Sequence, residues 1–301
     1  ADCDQNGFEG SYIGGVAFGA SNDFTVTFTN NSFSTSNISL TTSDLVLSGT
    51  ALGSVTVASV APTSVTLTAG QTQVVTYQLS GSPVVGELQA DWSKISLSCT
   101  KTKTVGTGDA SFTLPATAAI VSIYDGSPLV DIQGVADNSA NQFIVNVPYT
   151  SGIGTYDAYA SGVVTSAAGT GEGGDANGFS ISYPAGTFGT SGSIAVTITV
   201  DGDGSFDAEK QLFGVLKTIA SMDLQLNGSS KGNVDLKVVG GVPDRNFADA
   251  NHQFVYIPVT SAGGETWLNN NLGAHYANLN HASFSPISQA SASTDYNAYG
   301  S

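Results

Sequence analysis

Positive charge is scarce in this sequence. Eight Lys+Arg residues stand against 24 Asp+Glu residues, which gives a formal net charge of −16 at pH 7. Nucleic acid binding requires clustered basic residues that displace phosphate counterions, and an anionic membrane surface repels so acidic a chain. No apolar run approaches the roughly 18 residues of a membrane-spanning helix. The composition therefore excludes nucleic acid as a partner and insertion into a membrane, and it favours small cations as ligands.

Side chains that carry catalysis are also few. The sequence has three histidines and two cysteines, and it contains neither a Gly-x-Ser-x-Gly nor a His-Glu-x-x-His motif. A metal shared by His275 and His281 with Asp295 or an asparagine is a weak candidate, because asparagine is a poor ligand for the metals that imidazole suits. A carboxylate pair for glycoside hydrolysis stays open, because its separation depends on the fold. We therefore expect no catalytic residue, and no cofactor except calcium.

The two cysteines, Cys3 and Cys99, fit one disulfide in an oxidising compartment. The alternative is a pair of free thiols. A first residue other than Met indicates removal of a secretory signal, although a trimmed chain looks the same. We expect an extracellular or cell-surface protein in which Cys3 ties an N-terminal tail to the last strand of a first domain.

Strand patterns recur every 8–12 residues. In residues 22–30, NDFTVTFTN, large apolar residues alternate with threonine, which is typical of a strand with one buried face. Similar stretches continue to Cys99, and others follow from residue 119 onward. In residues 212–219, LFGVLKTI, a strand is favoured over a helix. Two-sheet sandwiches bury one face of so many short strands, so the sequence predicts an all-β protein.

Residues 61–83, APTSVTLTAGQTQVVTYQLSGSP, resemble bacterial immunoglobulin-like surface domains. The order Cys3, Trp92, Cys99 departs from antibody-type domains, in which the tryptophan lies midway between the cysteines. With a linker predicted at residues 100–109, the expected organisation is tandem immunoglobulin-like β-sandwiches followed by an incomplete C-terminal β/loop segment. The three predicted ranges are 1–105, 106–227 and 228–301.

Residues 201–212, DGDGSFDAEKQL, are a candidate calcium site. Hard oxygen ligands recur there at alternate positions: Asp201, Asp203, Ser205 and Asp207. An EF-hand is excluded, because Phe206 and Leu212 stand where that motif requires glycine and glutamate. The alternative, which the sequence favours, is an Asp-Gly hairpin turn after the preceding strand.

Three tyrosines form a candidate glycan-binding surface. Tyr149, Tyr156 and Tyr159 lie close in sequence, and aromatic faces beside Asp157 suit a sugar ring. Packing within a sandwich is the favoured alternative, because tyrosine is common in half-buried strands.

The end of the sequence resembles the opening of the Fibrobacter succinogenes major paralogous domain, found on surface proteins of the Bacteroidota and their relatives. The matching positions are Gly264, Trp267, Leu268, Asn271, Leu272, Gly273 and Ala274, then Thr294, Asp295, Ala298, Tyr299 and Gly300. The resemblance covers about the last 50 residues and implies an incomplete domain. Apolar Trp267, Leu268 and Leu272 would then need cover from the same chain or from a neighbouring subunit. The family transfers no catalytic residues.

These observations predict a non-catalytic, secreted structural or adhesive surface protein. Its expected partners are copies of itself, assembled into fibres by strand or tail exchange, or surface glycans. Residues 228–301 or the tail before Cys3 are the expected donors. The alternative is an array of carbohydrate-binding sandwiches from a larger secreted enzyme.

Overall fold

The computed structural model describes residues 1–124, 131–140, 142–244, 253–279, 281, 283–289, 291, 295 and 297. Its regular structure is β-strand with three short 3₁₀ turns, and the described residues contain no α-helix. Within the same residues, no helix reaches the length and apolarity needed to span a membrane. The prediction of an all-β protein is confirmed. The many sheets are consistent with an array of β-sandwiches, and the immunoglobulin-like topology stays a prediction.

The strands are numbered in chain order. Strands β1 to β14 span Asp2–Glu9, Asp23–Thr29, Ser36–Ser39, Leu45–Ser48, Thr56–Ala61, Ser64–Leu67, Thr72–Ser80, Gly86–Lys94, Leu97–Val105, Asp109–Phe112, Ala116–Val121, Ile123–Tyr124, Asp131–Ile132 and Gly134–Asp137. Strands β15 to β28 span Ile144–Ile153, Thr155–Tyr156, Tyr159–Ala160, Val164–Thr165, Gly178–Tyr183, Gly186–Thr187, Ser191–Val200, Ser205–Ala208, Leu216–Leu226, Ser229–Val239, Val242–Pro243, Val255–Tyr256, Pro258–Thr260 and Thr266–Leu268. The 3₁₀ turns are Thr42–Asp44, Glu172–Gly174 and His275–Ala277.

The chain divides into two compact units. Unit 1 holds residues 1–111, 150–157 and 185–191, and unit 2 holds residues 112–149, 158–184 and 192–301. These bounds are not the three sequential ranges expected from the sequence, because the chain contributes to each unit more than once. The predicted ranges stay a prediction of domain organisation.

Unit 1 contains two main sheets with a shared apolar core. One sheet has the strand order β1-β2-β7-β5 and the other β4-β8-β9, while β3 pairs with β6. Period-two alternation places every second side chain of β7 and β8 in the core. The largest of the fully buried side chains of this unit are Trp92, Tyr77, Phe24 and Phe28.

Trp92 occupies the centre of that core. Its ring meets Phe28 edge to face, with the ring centroids 5.2 Å apart. Its indole Nε1–H donates to the Tyr77 hydroxyl at 2.7 Å, so the one polar atom of a buried tryptophan is satisfied. This hydrogen bond links strand β8 of one sheet to strand β7 of the other.

The predicted disulfide between Cys3 and Cys99 is present, with the two Cα atoms 6.0 Å apart. Cys3 lies on β1 rather than in a tail, so that part of the prediction is wrong. Strands β1 and β9 are edge strands of the two different sheets. The disulfide therefore closes one side of the sandwich covalently.

The linker predicted at residues 100–109 is also wrong. Residues 97–105 form β9, which pairs with β8 from Lys94↔Leu97 to Gly86↔Val105. Lys101 and Lys103 suggested a solvated connection, but charged side chains are typical of an edge strand, where they prevent pairing with another molecule.

Unit 2 is built around long antiparallel pairs. Strands β23 and β24 are joined by Asn227 and Gly228, whose φ angles of 50° and 80° suit a two-residue hairpin turn. Strand β11 pairs in parallel with β24 on its other side. A second sheet contains β15, β21, β19 and β17 in that order. The LFGVLKTI segment enters β23 at Leu216, as a strand rather than a helix.

The C-terminal segment packs partly against unit 2's own core. Leu279 and Val255 are buried with Ala119 and Val239, and Phe284 packs against this cluster. The segment is thus covered in part by the same chain. Its remaining apolar side chains form the feature described next.

Candidate functional site

Strands β27 and β28 form a short hairpin, residues 258–268, which we call the apolar hairpin. Pro258 lies opposite Leu268 and Val259 lies opposite Trp267. The connection is closed by Ser261, whose N–H donates to the Glu265 carbonyl at 2.8 Å and whose hydroxyl donates to the Glu265 carboxylate at 2.8 Å. These local bonds fix the register, so that Trp267 and Val259 share one side of the hairpin.

The apolar side chains predicted to need cover are exposed. Trp267 is 67% exposed, Leu268 is 41% exposed, and Leu272, just beyond the hairpin, is 71% exposed. Val259 and Ile287 are exposed as well. Successive residues of a strand project to opposite sides, so Trp267 and Leu268 make both sides of the hairpin apolar. Exposed apolar surface of this kind marks contact sites more often than a single exposed leucine does.

Asparagines hold the base of the apolar hairpin in place. The Asn269 carboxamide accepts a hydrogen bond from the Ile257 N–H at 2.9 Å and donates to the Pro286 carbonyl at 2.7 Å. Buried Asn270 donates to the Ser288 carbonyl at 2.9 Å. Asn269 and Asn270 therefore position the hairpin against a neighbouring loop through hydrogen bonds to its backbone carbonyls.

The matched positions of the family resemblance are only partly described. Gly273 has a φ of 83°, and its N–H donates to the Tyr256 hydroxyl at 2.9 Å, while Ala274 is fully buried. Asp295 accepts a hydrogen bond from the Tyr276 hydroxyl at 3.1 Å. Four of the predicted matches, Thr294, Ala298, Tyr299 and Gly300, lie outside the described residues.

No protein-family model matches the chain, and no curated protein matches it. The two family resemblances therefore stay predictions.

Two of the histidines lie together. The rings of His275 and His281 are stacked, with centroids 3.9 Å apart. The Nδ1 atom of His275 is 3.1 Å from the Asn297 carboxamide oxygen, and the Ser283 N–H donates to Nδ1 of His281 at 3.1 Å. One nitrogen of each ring is thus engaged with a protein partner. His252 lies outside the described residues.

The candidate calcium residues lie in and after a turn. The Asp201 carboxylate accepts the Gly178 N–H at 2.7 Å, and the Asp203 carboxylate accepts the Ser205 N–H at 3.0 Å. Asp207 is exposed on β22. Over the described part of the chain, no group of three or more His, Cys, Asp or Glu residues is placed to hold a metal. Calcium binding at this turn stays a prediction.

The turn itself is present, but it does not make a hairpin. The Gly204 N–H donates to the Asp201 carbonyl at 3.0 Å, and Gly202 has a φ of 65°. Strand β21, before the turn, pairs with β19, whereas β22, after it, pairs with β14. The hairpin part of the prediction is wrong, because the turn carries the chain from one sheet to another.

Each candidate glycan-binding tyrosine packs against an aromatic neighbour. Tyr149 is buried and meets Phe112 with ring centroids 6.1 Å apart. Tyr156 is half-buried and lies on Phe188, with centroids 4.4 Å apart. These contacts fit the packing alternative for both residues.

Tyr159 is engaged at its ring and its hydroxyl. Its ring lies 5.6 Å from that of Tyr183, and its hydroxyl donates to the Asp223 carbonyl at 2.9 Å. Burial, with a smaller effect of the nearby Asp223 charge, raises the pKa of Tyr159. Glycan binding by the three tyrosines stays a prediction without a specific contact in its favour.

Sequence reasoning missed two members of the exposed apolar set, Val259 and Ile287. Both lie in the predicted C-terminal β/loop segment, residues 228–301, and neither belongs to the matched positions of the family resemblance. The available signal was Gly263-Gly264, since a turn there places Val259 opposite Trp267. No comparable pattern marks Ile287.

Proposed function

We propose that this chain is a non-catalytic, secreted structural or adhesive protein of the cell surface, whose copies associate through the apolar hairpin. In extracellular fibres, residues 228–301 of one copy would donate a strand or tail to the neighbouring copy. The tail before Cys3 is not placed as the donor, because Cys3 lies on strand β1, which already pairs with β2 of the same unit.

The observation that carries this proposal is the exposure of Trp267, Leu268 and Leu272 on a hairpin held by specific hydrogen bonds. Tryptophan is enriched among residues that dominate binding energies in protein interfaces. Among the residues that the structure describes, no further strand pairs with β27 or β28, and such unpaired edges can add to a sheet of another molecule.

Two further features support the proposal. The disulfide is a bond that persists in oxidising compartments. The net charge of −16 keeps separate copies soluble through mutual repulsion. Association must then depend on localised apolar contacts.

The test is to measure assembly of the purified protein by sedimentation velocity and electron microscopy over a range of concentrations. We expect Trp267→Ala and Leu272→Ala each to raise the concentration needed for assembly by at least about tenfold, as loss of a hot-spot side chain does. Leu212→Ala is the matched control, because Leu212 is 68% exposed and lies away from the hairpin in sequence. It should assemble as the unmodified protein does.

A protein that stays monomeric under every condition would contradict the proposal. An equal effect of Trp267→Ala and Leu212→Ala on the concentration needed for assembly would also contradict it.

A further inference from the structure

We propose that copies of this chain also join head to tail through unit 1, with Phe33 of one copy entering a cleft between strands β4 and β5 of the next. The inference deepens the proposed function and rests on it, since it specifies a second surface through which copies assemble. It uses residues remote in sequence from the apolar hairpin, so the two contacts can be tested separately.

Phe33 is fully exposed at the tip of the loop between β2 and β3. The loop is held by buried Asn30, whose carboxamide donates to the Leu67 and Ser34 carbonyls at 2.8 Å each. The same carboxamide accepts the Ser32 N–H at 3.0 Å and the Ser32 hydroxyl at 2.8 Å. A fixed loop thus presents a large apolar side chain to solvent, which lowers the entropy cost of placing that side chain in a partner.

The cleft lies on the side of the sandwich opposite the disulfide. Strands β4 and β5 are edge strands of the two main sheets, as β1 and β9 are on the closed side. The space between them has a volume of about 320 Å³. Its apolar lining consists of Leu45, Leu47, Leu52, Val55 and Val57. A cavity of roughly 150 Å³ holds benzene, so this open cleft has enough volume for the phenyl ring of Phe33.

The Phe33 loop and the cleft lie at opposite ends of β7. Thr72 begins β7 opposite Thr29, the last residue before the loop. Ser80 ends β7 opposite Thr56, which lines the cleft. At about 3.4 Å per residue, the two ends of this strand are roughly 27 Å apart. A contact between two different surfaces of one molecule is heterologous, and it generates a ring or an open filament.

Charge favours a second copy as the occupant. Residues 24–86 contain a single charged side chain, Asp44. That carboxylate is buried and forms an ion pair with Lys94 at 2.9 Å. This stretch supplies both the Phe33 loop and the whole lining of the cleft. Two copies of an acidic chain therefore meet through uncharged surfaces, where mutual repulsion is weakest.

In the described part of the chain, no strand pairs with the outer edge of β4, so this edge is open to a partner as well. Its residues, LVLS, include no charged residue and no proline, the usual protections of an edge strand. Val46, in the middle of β4, is exposed. Strand β5 differs, because a register irregularity between Val57 and Ser59 interrupts its pairing with β7. We therefore place the backbone of the incoming loop along β4.

Photo-cross-linking tests the contact directly. The full chain is made with benzoylphenylalanine at position 33, irradiated at increasing protein concentration, and digested for mass spectrometry. We expect cross-links between molecules that join position 33 to peptides from residues 42–57. Cross-links only within one molecule, or to other peptides, would overturn the inference.

A pair of complementary variants tests the head-to-tail arrangement. Both carry Trp267→Ala, which weakens association through the apolar hairpin, and they are compared at a protein concentration below that at which the weakened hairpin contact forms. One variant, Phe33→Asp, loses the inserted ring but keeps an intact cleft. The other, Thr56→Glu, keeps Phe33 but has a charge in its cleft. Each variant alone should be monomeric in sedimentation velocity, and an equimolar mixture should form a 1:1 heterodimer, because one intact contact remains.

The control is Val163→Asp in the same background, which adds the same charge at an exposed apolar residue of unit 2. It should assemble as the background does, and circular dichroism should confirm that all variants are folded. A mixture that stays monomeric would overturn the head-to-tail contact. A different result would separate the two proposals. If cross-links to residues 42–57 form and Trp267→Ala leaves assembly unchanged, the apolar hairpin contact is rejected and the Phe33 contact is supported.

Discussion

Asp44 is a buried carboxylate with several partners. Its oxygens accept the Thr41 N–H at 2.8 Å and the Lys94 ammonium at 2.9 Å. Burial acts to raise the pKa of Asp44, but the hydrogen bonds from Thr41 and Lys94 and the charge of Lys94 together lower it below the ordinary value. A carboxylate with a lowered folded-state pKa stabilises the fold when it is ionised.

This residue should make the stability of unit 1 sensitive to acid. Its contribution is complete above the unfolded-state pKa of about 3.9, and it is lost as the pH falls through the lower folded-state pKa. We expect Asp44→Asn to lower the free energy of unfolding by about 1.5–3 kcal/mol at pH 7, which is the value of a hydrogen bond to a charged group. At pH 2 the same substitution should lower it much less. Urea unfolding at both pH values measures this difference.

Asp203→Asn is the control for that experiment, because Asp203 is an exposed carboxylate in a turn. This substitution should leave the free energy of unfolding nearly unchanged at both pH values. An Asp44→Asn penalty that is the same at pH 7 and pH 2 would contradict an ionised role for Asp44.

At the scale of elements, the disulfide joins two edge strands that do not pair with each other. Cys3 and Cys99 are separated by 96 positions, so the bond closes a loop that includes most of unit 1. Closing a loop of this length stabilises a fold by up to about 4–5 kcal/mol in the chain-entropy model, and removal of a native disulfide typically costs about 2–5 kcal/mol.

We therefore expect the double variant Cys3→Ser, Cys99→Ser to lower the free energy of unfolding of unit 1 by about 2–5 kcal/mol. Urea denaturation followed by the fluorescence of buried Trp92 measures this change in unit 1. The same variant in reducing buffer is the control, and it should match the reduced unmodified protein. Equal stability of the oxidised protein and the double variant would contradict a structural role for the bond.

Period-two patterns allowed the strands to be predicted, because alternation reflects local burial. Strand β2, for example, was predicted from NDFTVTFTN, but the expectation of a single buried face was wrong, because Thr25 and Thr27 are buried as well. The part of β9 after Cys99 was not predicted, because its half-buried lysines and exposed threonines lack an apolar alternation and its pairing with β8 is a long-range property. The Asp201 turn was predicted from local glycines, yet its role between two sheets depends on partners distant in sequence.

The candidate site was predictable in part. The exposure of Trp267, Leu268 and Leu272 followed from a family resemblance that implied missing cover. Phe33 gave no such signal, since a single phenylalanine in NNSFSTS looks like any other core residue. Its exposure depends on the hydrogen bonds of Asn30, one of which is made to Leu67 on β6.

At the scale of the whole molecule, the charge of −16 opposes association, while the contact surfaces that we propose are apolar. Salt screens the repulsion, because the Debye length falls from about 30 Å at 0.01 M to about 8 Å at 0.15 M. We expect the concentration needed for assembly to fall several-fold over this range. Light scattering at fixed protein concentration and increasing sodium chloride measures it, and assembly that weakens with salt would indicate contacts made by ion pairs instead.

The disulfide also has a mechanical consequence. If the chain is pulled from points on either side of it, tension passes from Cys3 to Cys99 through the covalent bond and bypasses the residues between them. Without the bond, unfolding of those 96 positions would lengthen the chain by roughly 330 Å, at about 3.5 Å per extended residue. A fibre built from such subunits would resist lengthening at unit 1 even after its strands had separated.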